Sequence, residues 1–181
     1  MIRNNKVLLL SFLLIFLSVY FSYYNGFNWI KGSLSDFGLI SNFFNLSLII
    51  SGISLGIFTL TSIERKNGYW LCRLFLIFSS IALILIGIFT KKYLVHFIFA
   101  ILLFSVFPFG LYFLGNHLKP NNRRLAIFTK IIALSLIVFW FIFFMIWLFI
   151  YQYGLAIPEI ITLTIWIVWS IFFIKNYKIE S

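Results

Sequence analysis

The chain has 181 residues, of which 63% are hydrophobic, 22% aromatic and only 10% charged, with a mean hydropathy of +1.09. So few charges cannot cover a water-solvated core, which excludes an ordinary soluble domain and points to an all-α polytopic membrane protein. The formal charge of +10 would suggest a nucleic-acid partner in a soluble fold. Here the basic residues sit in short clusters between apolar runs, so no nucleic-acid partner is expected.

A hydrocarbon core about 30 Å thick takes roughly 20 residues of helix. In chain order, Arg3 and Lys6 precede a first apolar run from Val7 to Tyr24. It imitates a secretory signal, but Asn25-Gly26-Phe27-Asn28-Trp29 follows with no small-x-small cleavage site, so a retained first helix is expected. Five more runs follow: Leu39 to Thr61, Tyr69 to Thr90, Leu94 to Leu114, Ile131 to Tyr151 and Ile157 to Ile174. The connecting gaps are short, the longest running from Gly115 to Lys130, so one domain over residues 1–181, a six-helix bundle, is expected. Cys72 is the single cysteine, which leaves no intrachain disulfide, and it reads as a small apolar residue.

Loop charge orients the bundle. Arg3, Lys6, Arg65, Lys66, Arg73, Lys119, Arg123, Arg124, Lys130, Lys175 and Lys178 fall on one side. Lys31, Lys91 and Lys92 fall on the other. Eleven against three places both termini in the cytoplasm of a cell-membrane protein. Aromatic residues at predicted helix ends, Trp29, Tyr69, Trp70, Tyr93, Tyr151 and Tyr153, read as interfacial belts. Gly52 and Gly56 in the second run form a small-xxx-small pair that lets a neighbouring helix approach closely. Pro108 is expected to kink the fourth run, with Ser105 one turn earlier to satisfy a freed carbonyl. No internal repeat is visible, which weakens a transporter reading.

Four acids exist, and Glu64 and Glu180 lie in basic segments where a solvated role is expected. Asp36 and Glu159, with His96, fall near the starts of the second, sixth and fourth runs, all at the outer face. Three positive dipole ends with Lys31, Lys91 and Lys92 would suit a lipid head group or small anion there. A helix start also favours a neutral imidazole, usable as a base or ligand. Helical spacing sets Asn42, Asn45, Gly52 and Gly56 near one stripe; Glu159, Thr162, Trp166 and Trp169 form a second, and His96, Ala100, Leu103 and Phe107 a third. Each stripe is expected to face protein.

Structural roles compete with these at every position. Ser33-Leu34-Ser35-Asp36 is a capping box, and Pro158-Glu159 is a good helix opening. A zinc site from Asp36, His96 and Glu159 is chemically conceivable, yet HExxH, HxxxH and a cysteine pair are all missing, so no metal is assigned. Ser35 has no G-x-S-x-G context, and the second histidine, His117, lies on the cytoplasmic side. No cofactor is named by the sequence.

Three stretches carry a family resemblance. Leu34-Ser35-Asp36-Phe37-Gly38 leading through Phe44-Asn45-Leu46-Ser47-Leu48-Ile49-Ile50-Ser51-Gly52 resembles the second-helix motif of the archaeal and bacterial membrane proteins called domain of unknown function 998. Val95-His96-Phe97-Ile98-Phe99-Ala100 is similar to that family's fourth-helix pattern, and Ile157-Pro158-Glu159-Ile160 with Trp166 to its last helix. The resemblance implies a six-helix membrane protein and no assigned activity. The short outer loops are a departure, leaving little room for a lid. Three functions follow as expectations. The first is lipid head-group or small-anion binding or transport, with Ser35, Asn42, Asn45, Lys31, Lys91 and Lys92 as contacts. The second is an intramembrane lipid hydrolase or transferase using Asp36, His96 and Glu159. The third is a structural role, in which the polar residues do not converge.

Overall fold

The computed structural model describes residues 2–23, 27–63, 69–118, 122–149 and 154–177. Among these, the chain is entirely helical. Its elements are α1 (Ile2–Tyr23), a 3-10 turn (Leu34–Asp36), the one-turn α2 (Phe37–Ile40), α3 (Asn42–Ser62), α4 (Trp70–Ile88), α5 (Leu94–Leu118), α6 (Arg123–Phe149) and α7 (Ala156–Asn176). Helices α3 to α7 are each long and apolar enough to cross a membrane, and α1 carries a shorter apolar stretch, Lys6–Phe21. Large apolar side chains such as Leu94, Phe141 and Trp70 are among the most exposed on the surface, as expected of a bundle whose outer solvent is lipid.

Two boundaries differ from the hydropathy reading. The run from Leu39 is broken at Ser41, whose extended backbone interrupts the helix and whose Oγ accepts from Phe43 N at 3.2 Å to begin α3. Asn45 Nδ2 donates to Gly38 O at 2.9 Å and so satisfies a carbonyl that the break frees. Asp36 therefore sits in the 3-10 turn before the break, and the start of the long helix is capped by Ser41. Helix α6 begins at Arg123, earlier than the apolar run at Ile131, because Asn122 caps it through Oδ1 and Leu125 N at 3.0 Å. Hydropathy detects apolar length; the backbone continues as helix through charged residues.

The long helices pack as a ring, α1 against α3, then α3–α4, α4–α5, α5–α6, α6–α7, and α7 back on α1. Along α1, Leu8, Phe12, Ile15 and Val19 recur on one buried face. Hydroxyls and glycines set the interhelical spacing. Ser51 Oγ donates to Ser11 O at 2.8 Å between α3 and α1, and Ser80 Oγ donates to Gly52 O at 2.7 Å between α4 and α3. A methyl at Gly52 would stand 2.8 Å from the Ser80 carbonyl oxygen, and one at Gly87 would stand 2.7 Å from that of Asn45. Of the predicted pair, Gly52 thus performs the close backbone packing, while Gly56 faces only the Ser80 side chain. Between α6 and α7 two tryptophans reach across in opposite senses: Trp140 Nε1 donates to Thr162 Oγ1 at 3.1 Å and Trp169 Nε1 to Thr129 Oγ1 at 3.2 Å. Pro108 lies inside α5 and is buried, whereas Ser105 is exposed.

Antiparallel succession gathers loops at two ends. At one, Gly154 N donates to Ile30 O at 2.7 Å and Ala156 N to Gly32 O at 3.0 Å, tying the segment before α7 to the one before the 3-10 turn. At the other, Tyr177 Oη donates to Ser62 O at 3.1 Å, Asn122 Nδ2 to Asn176 O at 2.8 Å and Tyr69 Oη to His117 O at 3.2 Å. Trp70 and Tyr93 are exposed at helix ends and Trp29 and Tyr69 half-buried, while Tyr151 and Tyr153 lie outside the described residues.

Candidate functional site

At the end that carries Lys91, the helices line a partly open cavity of about 70 Å³. Its polar lining is Ser35, His96, Glu159 and Thr162, from the 3-10 turn, α5 and α7. Phe44, Phe104 and Trp166 supply its aromatic walls, and aliphatic residues from every long helix except α6, Ala100 of α5 among them, fill the rest. The lining follows from the stripes. Thr162, Trp166 and Trp169 on α7 and His96, Leu103 and Phe107 on α5 are all buried, as the helical spacing requires.

Each polar residue has a distinct environment. His96 is buried, and its Nδ1 lies 2.7 Å from Phe89 O. A carbonyl can only accept, so Nδ1 carries the proton of this bond, and in the neutral imidazole Nε2 is left as an acceptor. Glu159 Oε2 accepts from Leu34 N at 2.6 Å, a bond spanning 125 residues that fastens α7 to the 3-10 turn. Thr162 Oγ1 accepts from Trp140 and donates to Pro158 O at 2.8 Å. Ser35 and Ser33 share a hydroxyl contact at 2.8 Å. Trp166 Nε1 is buried with no hydrogen-bond partner, in contrast to the indoles of Trp140 and Trp169.

Asp36 stands beside the cavity without lining it. Its Oδ2 accepts from Ser33 N at 2.7 Å, the carboxylate half of the capping box, and its Oδ1 accepts from Lys91 Nζ at 2.6 Å. Both side chains of that ion pair are partly exposed, 27% and 30%, so it clips the α4–α5 loop to the 3-10 turn with modest energy. Lys31 and Lys92 are exposed, and none of the three lysines lines the cavity. Asn45 serves the break after Gly38, and Asn42 is exposed, off the stripe that Asn45 shares with Gly52 and Gly56. Among the described residues no three of His, Cys, Asp and Glu form a group able to hold a metal ion. Glu64 and Glu180 lie outside the described residues. His117 stacks on Tyr69 at the other end, centroids 4.3 Å apart.

The site therefore brings together Ser35, His96 and Glu159 and leaves the lysines and Asn42 out. Sequence reasoning placed Trp166 and Thr162 on an inward stripe without giving them a role. The signal that distinguishes Trp166 is the absence of a threonine partner, which depends on the register between helices.

A family model described as "Protein of unknown function (DUF998)" matches residues 7–174. The chain belongs to the DUF998 family. No curated protein and no solved structure matches it. The DUF998 resemblance rested on stretches containing Ser35, His96, Ala100, Glu159 and Trp166, and all five line the one cavity. With five long apolar helices among the described residues, this DUF998 chain is a multi-pass membrane protein.

Proposed function

We propose that the chain spans the cell membrane six times with both termini in the cytoplasm, and binds the polar end of a lipid in the His96–Glu159 cavity from the extracytoplasmic side. The loop charge asymmetry supports the orientation. The observation that carries the binding reading is the convergence of Ser35, His96, Glu159 and Trp166 on a cavity whose other walls are apolar, the usual make-up of a small-ligand site.

Size and charge narrow the ligand. At about 10–15 Å³ of such cavity space for each water, the 70 Å³ cavity takes a small polar group of a few heavy atoms, such as the hydroxyl or amide tip of a head group. Its lining holds a carboxyl group and an imidazole and no Lys or Arg, so it offers an anion no countercharge. A hydroxyl both donates and accepts, matching His96 Nε2 on one side and an indole N–H on the other. Lys31 and Lys92, exposed on the same end, remain available to a phosphate outside the cavity.

The test is thermal unfolding of the purified protein with diacylglycerol, and with phosphatidylglycerol of the same chains. Diacylglycerol should raise the midpoint, and His96→Ala and Trp166→Phe should each remove most of that rise. No rise, or a rise indifferent to both variants, would overturn the reading.

A second reading, acid/base hydrolysis or transfer on the bound group, is favoured by His96 and Glu159 lining the same cavity with Nδ1 of His96 held by a backbone carbonyl. It requires turnover of a lipid ester that Glu159→Gln and His96→Ala both abolish. Binding without turnover leaves the first reading alone. A purely structural role expects the polar residues to stand apart.

A further inference from the structure

The end of the bundle opposite the cavity carries charge that the described residues do not balance. Helix α6 opens with Arg123 and Arg124, and has no acid in its first turn, although the helix dipole favours one there. Arg123, Ala126, Ile127 and Lys130, spaced i, i+3, i+4 and i+7, line a cleft of about 240 Å³. Lys130 is fixed in this cleft by α5. Its stem crosses Gly115, where a methyl would stand 2.7 Å from Lys130 Cγ, and its ammonium lies 5.9 Å from the centre of the Tyr112 ring.

Among the described residues the acids are Asp36 and Glu159, bound to Lys91 and Leu34 at the far end. The sequence adds Glu64 and Glu180, against eleven Lys and Arg assigned to this end. From Ile127 within the cleft, exposed Ile131, Leu134 and Val138 continue along the same helix. Spaced i, i+4, i+7 and i+11, they form one apolar stripe running from the cleft into the membrane zone. A charged mouth continued by an apolar track has the shape of an anionic phospholipid, and a free phosphate would leave the track unused.

We propose that the Arg123–Lys130 cleft is a binding site for an anionic phospholipid, with its phosphate between the guanidinium and the ammonium and an acyl chain along Ile131 and Leu134. The site is separate from the cavity and does not rest on the function assigned there. Arg123 supplies a planar fork able to hold two phosphate oxygens, and Lys130 a point charge against the third.

The experiment is a native mass-spectrometric titration of the detergent-purified full chain with phosphatidylglycerol and phosphatidylcholine of identical chains, alongside thermal unfolding with inorganic phosphate. Phosphatidylglycerol should bind preferentially. Arg123→Gln and Lys130→Met should each weaken it about fivefold and together about thirtyfold, while Lys175→Met, at the same end outside the cleft, leaves it within about twofold. Lys130→Met keeps the stem over Gly115; should it fail to fold, Arg123→Gln on an exposed residue carries the test alone. Equal binding of the two lipids, full binding by the variants, or the same stabilisation from inorganic phosphate would each overturn the proposal.

Discussion

A buried indole N–H without an acceptor costs about 1–3 kcal/mol, and Trp166 bears that cost where Trp140 and Trp169 do not. Trp166→Phe keeps a ring among Phe12 and Phe107, whose centroids lie 5.6 Å and 4.5 Å away, and removes only the unpaired donor and part of the ring volume. In ligand-free protein it should leave the unfolding midpoint unchanged or raise it. Trp169→Phe breaks the bond to Thr129 and should cost about 1 kcal/mol. Equal losses in the two variants would mean that the Trp166 indole has a partner. At this scale the sequence was only partly legible. His96, Glu159 and Ser35 could be nominated because rare polar residues in apolar runs stand out. Their fates depended on the opposite helix: Lys91 meets Asp36 and Glu159 meets Leu34 N across long stretches of chain, pairings that no local pattern encodes.

At the level of the helices, glycine positions separate packing that is backbone-limited from packing that can yield. Gly52→Ala drives a methyl against the Ser80 carbonyl and the Ile84 backbone nitrogen, so α3 and α4 must move apart. A cost of about 1–3 kcal/mol is expected. Gly56→Ala crowds the Ser80 side chain alone, its Oγ at 2.9 Å, and disturbs the bond of that hydroxyl to Gly52 O, so a smaller cost of about 1 kcal/mol is expected. Thermal unfolding of the two variants compares them directly, and equal stability would show that α3 and α4 are not held at glycine contact. Helix existence was readable from apolar length. The break at Ser41 and the early start of α6 at Arg123 were not, since both depend on side-chain caps, Ser41 Oγ and Asn122 Oδ1, which a hydropathy window averages away. Asn122 ahead of Arg123-Arg124-Leu125 was a legible cap signal overshadowed by the charges behind it.

For the whole molecule, the proposed orientation can be tested with the chain's own chemistry. Cys72 is fully buried, so single cysteines can be placed at Lys92 and Lys175 over a silent background. A membrane-impermeant thiol reagent should label Lys92→Cys in intact cells and Lys175→Cys only after permeabilisation; the reverse pattern would invert the topology. The ring itself carries a consequence for biogenesis. Successive long helices are neighbours in the ring from α1 through α3 to α7, and only the α7–α1 contact that closes the circle joins helices far apart in sequence. Glu159, Thr162 and Trp166 arrive on that last helix, so the cavity lacks its polar wall until α7 has packed against the rest of the bundle.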